Sequence, residues 1–245
     1  MAKAARRHDG RRAGDLRPVT ITPGFVRSAD GSCLIEVGNT RVICTASIVE
    51  GVPRWRLPEH IGWVTAEYGM LPASTSERKV RPFVRPDGRT IEIQRLIGRV
   101  LRGVVWFDGL GENTVYLDCD VLEADGGTRT AAVTGSWVAL SLAAHKGAEA
   151  GVFQRGVVRR AVAAVSVGIV DGRCVLDLDY AEDAAAEVDM NVAMTGGGKF
   201  IEIQGTSEGE PFDGDDLEAM LRLAGRGIRR LLTVQRQAMT DGLGR

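Results

Sequence analysis

The sequence predicts an α+β fold in one compact unit, and three observations carry that expectation. Pairs of apolar, alternating runs are joined by short turns at three places, the pattern of β-hairpins. Other stretches space their apolar residues three and four apart, the pattern of helices. Each half of the chain runs several strands and then a helix, with no short-period repeat and no low-complexity linker between them.

Taken in order, residues 1–16 form a basic N-terminal arm; residues 1–17 carry six Lys/Arg against two Asp. They read either as a solvated tail or as an arm for RNA or a partner subunit. The arm lacks the apolar stretch of a secretory signal. His8-Asp9-Gly10 and Asp15 interrupt any amphipathic transit helix. From residue 18 the pattern turns to β. Residues 33–37 and 41–48 flank Gly38-Asn39-Thr40 as a first hairpin. Residues 51–60 hold two prolines and read as loop, and 61–68 as a further strand. Residues 72–88 hold three prolines with Arg78, Lys79, Arg81 and Arg85, a positively charged and mobile loop by composition. A helix follows from about Thr90. Leu96, Ile97, Val100 and Leu101 make its apolar face, and Arg95, Arg99 and Arg102 share one side with no matching acidic stripe. That side is either a solvated face or a polyanion-binding one.

Residues 115–123 read as a strand, and residues 131–146 as a helix rich in Ala, Ser and Gly that suits close packing on a sheet. Residues 148–156 resemble a linker. Residues 162–170 and 174–178 form a second hairpin about Asp171-Gly172, and 188–194 and 199–204 a third about residues 195–198. Residues 205–216 read as an acidic loop. Helical spacing runs from about Asp213 through Leu217, Met220, Leu221, Ala224, Ile228, Leu231 and Leu232 to near Ala238.

Composition narrows the function classes. A hydrophobic fraction of 44% over 245 residues allows a sizeable core. No apolar run approaches the ~20 residues of a membrane span, so no membrane partner is expected. A net charge of −1 offers no global basic field, so polyanion binding must come from local clusters. Cys33, Cys44, Cys119 and Cys174 lie far apart in apolar stretches without a Cys-x-x-Cys pair. They read as small buried residues in a reducing cytoplasm rather than zinc ligands. His8, His60 and His145 have no neighbours that suggest a triad or a metal cage.

The chain is organised around Ala124-Asp125-Gly126-Gly127-Thr128-Arg129-Thr130. A Gly-Gly turn hands a strand to a helix N-terminus there. Unpaired N–H groups and the positive end of the helix dipole suit an anion. The glycines allow close backbone approach, and Arg129 adds a planar fork that matches phosphate oxygens. The alternative is a plain strand–turn–helix connection with a Thr cap and a solvated Arg. No Gly-Lys-Ser/Thr closes the loop, so it is not a Walker A loop.

Residues 178–191 gather Asp179, Glu182, Asp183, Glu187 and Asp189. Asp183 sits at a short Ala-rich turn and Asp189 opens the next apolar strand. A carboxylate pair converging there suits a hard cation such as Mg²⁺; the alternative is a solvated acidic loop. Asp118 and Asp120 share one face of another strand and read as rim or hydrogen-bonding residues. An anion cradle, loose arginines and a metal-capable carboxylate pair, with no evident nucleophilic Ser or Cys, fit phosphoryl chemistry done by positioning and charge neutralisation.

These residues carry a resemblance. Arg17-Pro18-Val19, Cys44-Thr45-Ala46-Ser47-Ile48, Glu50-Gly51-Val52-Pro53-Arg54, Thr65-Ala66-Glu67-Tyr68-Gly69-Met70-Leu71-Pro72, Ile93-Gln94-Arg95-Leu96-Ile97-Gly98-Arg99, residues 124–130, Glu182-Asp183 and Asp189-Met190-Asn191 resemble the bacterial ribonuclease PH family. The likeness runs from Arg17 to about Gln237. It implies the ribonuclease PH fold, two layers of mixed sheets and helices with a left-handed βαβ crossover, a topology shared with a ribosomal-protein domain. It implies one such domain over residues 17–240, with 241–245 as a C-terminal tail. It implies a cytoplasmic, hexameric ring, a trimer of dimers. That ring trims nucleotides downstream of the CCA end of tRNA precursors, and other RNA 3′ ends including rRNA, with inorganic phosphate as co-substrate. Nucleoside diphosphates are released, and the reverse reaction adds nucleotides.

By the same resemblance, phosphate binds at Arg89, Gly127, Thr128 and Arg129. The catalytic and metal-binding carboxylates are Asp183 and Asp189, holding Mg²⁺ with Mn²⁺ as the alternative ion. Arg78, Arg81, Arg95 and Arg99 contact RNA. The loop at residues 73–87 is shorter than in relatives and has Ala73 where some have Arg, which bears on tRNA grip rather than chemistry. Two rivals stand beside this reading. One is a non-catalytic RNA-binding ring subunit of an exosome-like assembly, which would lack the phosphate-site Arg or the Asp pair. The other is a metal-dependent hydrolytic nuclease, which needs no cradle for free phosphate.

Overall fold

Thr40, Val42, Cys44 and Ala46 are buried while the side chains between them are partly exposed, the two-residue period of a half-buried strand. This strand, β3 (Thr40–Glu50), lies at the centre of a five-stranded sheet. The computed structural model describes residues 7–80 and 87–244. Around β3 run β1 (Val19–Pro23), β2 (Gly31–Val37), β4 (Trp63–Met70) and β5 (Asn113–Glu123), in the order β1-β2-β3-β5-β4. The β2/β3 hairpin turns at Gly38-Asn39, as its sequence predicts. Cys33, Cys44 and Cys119 fall in register across β2, β3 and β5; all three are buried and free.

β4 and β5 pair in parallel and are joined through α1 (Gly88–Arg102), a βαβ crossover. The Asp87 carboxylate caps α1 by accepting from the Thr90 N–H at 2.7 Å. Ile93, Leu96, Ile97, Val100 and Leu101 of α1 are buried in the first core. α2 (Thr128–Glu149) packs on β2 and β3, and its small residues serve that approach. A Cβ on Gly135 would lie 2.7 Å from Cys44 Sγ and 2.9 Å from Ile35 Cγ2.

The second sheet orders as β7-β6-β8-β9, from β6 (Val162–Val170), β7 (Arg173–Leu176), β8 (Val188–Thr195) and β9 (Phe200–Ser207). Helix α4 (Gly214–Leu243) covers it with Met220, Leu223, Ile228 and Leu231. Gln235 of α4 donates to the carbonyls of Thr134 on α2 and Val162 on β6, both at 2.9 Å. Wholly buried, that amide ties the two layers together.

Three expectations change. α4 continues through Leu243, so most of the expected tail at 241–245 is helix. The Ala-rich turn is a short helix, α3 (Tyr180–Ala185), capped by an Asp179–Glu182 capping box. Residues 7–16 do not stand off as a solvated arm: Arg7 and Arg11 fold back onto the acidic stretch. Arg81 and Arg85 lie outside the described residues. Among the described residues, no helix is long and apolar enough to cross a membrane.

Candidate active site

The Gly126-Gly127 turn forms because the chain must reverse against another segment's backbone. Both glycines are left-handed, at φ 74° and 68°, a region that costs other residues energy. A Cβ on Gly126 would lie 2.5 Å from the Asp179 carbonyl carbon and 2.7 Å from the Leu178 oxygen. The loop of the first half is therefore seated on the backbone that leads into α3. Thr40 Oγ1 fixes it by donating to Gly126 O at 2.7 Å and accepting from Asp125 N at 2.9 Å.

Gly127 is the N-cap of α2, and no side chain caps the helix. The Thr cap of the alternative reading is absent: Thr130 instead donates to Gly127 O at 2.9 Å. Thr128 is buried, and its Oγ1 accepts from the Tyr68 hydroxyl at 2.8 Å. With Tyr68 as donor, the Thr128 hydroxyl proton is free to point elsewhere. Burial pushes the Tyr68 hydroxyl pKa up, opposed by Thr128, Arg89 and Arg129. The two arginines therefore act on the same spot although one opens α1 and the other opens α2.

A cleft of about 570 Å³ lies over this helix end. Arg78, Arg89, Gly127, Thr128, Arg129, Asp183 and Asp189, seven residues singled out from sequence, line it together with Lys79. Arg129 Nη1 lies 3.3 Å from Glu92 Oε1, which also accepts from Gln204 Nε2 at 2.7 Å. Of the other arginines expected to contact RNA, Arg81 lies outside the described residues, and Arg95 and Arg99 are elsewhere. Arg95 is exposed on α1. Arg99 is paired with Glu202 of β9 at 2.6 Å, so the acidic partner missing from its own helix comes from the second sheet. Arg102 stacks over Trp63 with 4.7 Å to the ring centroid.

Asp189 lies on β8, half-buried, with α3 placing Asp183 across the turn. Burial raises the Asp189 carboxyl to about 6; Asp183 adds to this, and Arg129 and Arg89 oppose it. Its Oδ1 is buried without a hydrogen-bond partner among the described residues. An orphaned carboxylate oxygen beside a second carboxylate is a donor set that fits a hard divalent cation. The rest of the acidic stretch does different work. Asp179 and Glu182 are buried and paired with basic residues of the N-terminal segment. Burial opposes ionisation of Glu182, but Arg7 holds its carboxyl below the usual range. In the parallel β4/β5 pair Asp118 lies opposite Glu67 and Asp120 opposite Gly69, and neither is among the residues lining the cleft.

Two family models match the chain: 3′ exoribonuclease family domain 1 over residues 15–145, and domain 2 over residues 160–227. The chain belongs to the 3′ exoribonuclease family. Ribonuclease PH from Neisseria meningitidis serogroup B is 54% identical over 232 residues, spanning 94% of this chain and 96% of its own. Rice Rrp46 superposes with a TM-score of 0.78 at 17% identity over 95% of this chain and 100% of its own. A subunit of the Archaeoglobus fulgidus exosome with RNA bound to the active site gives 0.78 at 20% identity over 93% of this chain and 92% of its own. At that identity the last two show the shared fold.

Sequence reasoning did not assign a role to several residues at this cleft. Ser166 and Asn191 line the cleft and are directly opposed in the β6/β8 register. Asn191 stands two residues from Asp189 on one strand, and that spacing is the signal that could have found it. Tyr68 gave no such signal, because its partner Thr128 lies 60 residues away.

Proposed function

We propose that the protein is a phosphate-dependent 3′ exoribonuclease, a tRNA nucleotidyltransferase that trims tRNA precursors beyond their CCA end in the cytoplasm. The observation that carries this is the meeting, in one cleft, of an uncapped helix N-terminus flanked by Arg89 and Arg129 with the Asp183/Asp189 pair. Inorganic phosphate is held by the N–H groups of the first turn of α2, by Thr128 and by the two guanidinium forks. A phosphate oxygen attacks the last phosphodiester in line, and the 3′ oxygen of the penultimate nucleotide leaves. The products are a nucleoside 5′-diphosphate and an RNA one nucleotide shorter.

Asp183 and Asp189 would hold Mg²⁺, or Mn²⁺, which supplies charge neutralisation at the scissile phosphate. Asp189 also stands where it could assist protonation of the leaving 3′ oxygen. Among the described residues lining the cleft, the phosphate-suited helix end stands beside the carboxylate pair, which supports free phosphate as the nucleophile. The bonds exchanged are similar in energy, so excess diphosphate lengthens RNA 3′ ends. The non-catalytic ring-subunit reading would require the arginine set or the carboxylate pair to be missing, and both line this cleft.

Arg78 and Lys79 at the cleft rim, with Arg95 on α1, are proposed to meet the RNA backbone, which fixes position without reading sequence. A net charge of −1 leaves one chain without a broad basic surface, and assembly as a hexameric ring would concentrate these groups around a channel. The test is a tRNA bearing extra 3′ nucleotides, incubated in Mg²⁺ with phosphate present or rigorously removed, with the released nucleotides identified by chromatography. Diphosphates that depend on phosphate are expected; monophosphates released without phosphate would mean a hydrolytic nuclease.

A further inference from the structure

We propose that Arg17 and Asp177 are positioning residues that hold the phosphate loop and the carboxylate-bearing helix α3 at a fixed separation, and that Arg11 of the N-terminal segment braces the α3 side alone. This rests on the site assignment above. Asp177 lies between β7 and α3 with its backbone in the left-handed region, φ 57°. Such a conformation persists in a non-glycine residue when the surroundings over-determine it. Here they do. Its Oδ2 accepts from the Arg17 backbone N–H at 2.7 Å and from Arg17 Nε at 3.1 Å, and its Oδ1 accepts from Arg17 Nη2 at 2.7 Å. Its N–H donates to Ser166 O at 2.7 Å, and its own carbonyl accepts from Arg7 Nη2 at 2.9 Å and Arg11 Nη1 at 2.8 Å.

The Arg17 fork does not stop at Asp177. Nη1 donates to the Asp125 carbonyl, and Nη2 to Gly126 O at 3.4 Å. A Cβ on Gly127 would lie 3.0 Å from Nη2, so the guanidinium lies directly beneath the N-cap of α2. One buried side chain thus bonds to both walls of the cleft: the loop that presents Thr128 and Arg129, and the segment that launches α3 toward Asp183. Arg17 and Asp177 are both buried, and neither lines the cleft. On the far side, Arg7 pairs with Glu182, the residue before Asp183. Arg11 Nη2 lies 3.4 Å from both Asp179 and Glu182, the two members of the α3 capping box. Arg11 Nη1 also lies 3.3 Å from Asp177 Oδ2, whose bonds to Arg17 do not depend on it, and among the described residues Arg11 makes no bond to the phosphate loop.

The arrangement separates from a general folding role by what each residue can reach. Phosphate at α2 and a cation at Asp183/Asp189 bind to opposite walls; the walls also touch at Gly126 and through the Tyr180 N–H to Asp125 Oδ1 at 3.4 Å, and Arg17–Asp177 is the buried side-chain pair that bonds to both. Loosening this pair therefore weakens both ligands, although it touches neither, while loosening Arg11 weakens only the cation.

The test uses full-length Asp177→Asn, Arg17→Lys and Arg11→Ala, with inorganic phosphate alone followed by isothermal titration and Mn²⁺ alone by electron paramagnetic resonance. No RNA turnover is involved, so failure of the positioning idea is distinct from failure of the exoribonuclease reading. Asn tolerates the left-handed backbone and keeps the side-chain shape, so Asp177→Asn is expected to fold with weaker phosphate and Mn²⁺ binding, each by about tenfold, the size of one lost hydrogen bond to a charged group. Arg17→Lys keeps the charge but not the fork and should lose both in the same way. Arg11→Ala should lose Mn²⁺ affinity by roughly threefold with phosphate affinity unchanged, as one partly compensated bond would. Should either buried variant fail to fold, the Arg11→Ala pattern still decides. Wild-type affinities in folded Asp177→Asn or Arg17→Lys, or equal losses of both ligands in Arg11→Ala, would overturn the proposal.

Discussion

Arg129→Ala should cripple the use of phosphate while leaving the fold and RNA binding almost untouched. The magnitude follows from what the side chain touches. Arg129 is 18% exposed, and among the described residues its side chain pairs with Glu92 at 3.3 Å. Glu92 is itself 42% exposed, so the pair is worth about 0.2–1 kcal/mol at most. After truncation Glu92 still accepts from Gln204 at 2.7 Å, which keeps the cost to stability at the low end. Toward a bound phosphate the same fork makes charge-assisted bonds, worth about 1.5–3 kcal/mol when lost. At about 1.4 kcal/mol per factor of ten, KM for phosphate should rise roughly 10- to 150-fold. The assay is the initial rate of 3′ trimming against phosphate concentration at saturating RNA, beside filter binding of RNA without phosphate and a thermal melt. An unchanged KM for phosphate in a folded variant would show that the helix N-terminus is not the phosphate site. A matching loss of RNA affinity would show instead that Arg129 is an RNA contact.

Three further outcomes follow from the geometry. Asp189→Asn should abolish turnover with RNA affinity nearly unchanged; in a cation-free melt it should also remove a pH dependence. A carboxyl raised from 3.8 to about 6 binds more protons folded than unfolded, so it costs the wild type stability as pH rises through that window; a wild type and variant with parallel melting profiles from pH 4 to 8 would contradict the buried carboxyl. Tyr68→Phe removes the hydroxyl that donates to Thr128, so KM for phosphate should rise roughly 2- to 12-fold, matching a net hydrogen bond of about 0.5–1.5 kcal/mol, and a change in kcat alone would assign Tyr68 a different role. Light scattering at micromolar concentration should give a hexameric mass, and a monomer would remove the ring from the account.

Local signals made most of the architecture legible. Hairpin turns at Gly38-Asn39 and Asp171-Gly172, and a Gly-Gly loop entering α2, depend on residues a few positions apart. Asp183 and Asp189 were legible as a pair because a short helix and a strand start separate them by only six positions. What the sequence hid is partnership over distance. Arg7 and Glu182 are 175 positions apart, so a basic N-terminus and an acidic stretch looked like two solvated runs when they neutralise each other. Arg99 looked unpaired because Glu202 arrives from the other sheet. The helix at 180–185 was hidden for a different reason. Six residues are too few to form a helix by propensity, and its capping box forms where Arg7 and Arg11 fix Asp179 and Glu182.

The division of labour between the two halves explains why the site lies at their seam. The first half can offer an anion a helix end and two arginines, but the carboxylate beside them, Glu92, is already engaged by Arg129 and Gln204. The second half can offer a cation Asp183 and Asp189, but the arginines of its N-terminal brace are consumed by Asp177, Asp179 and Glu182. Phosphorolysis needs both signs of charge within one bond-making distance, because an anionic nucleophile must approach an anionic diester. Arginines alone would bind two anions and leave them repelling each other. Carboxylates alone would repel the nucleophile. The Gly126 contact with the Asp179 backbone brings the two sets together, and at 2.5 Å from a Cβ it leaves no room for a side chain. Gly126→Ala therefore cannot be accommodated by a rotamer change: the loop must move away from α3, and the phosphate and cation sites part together.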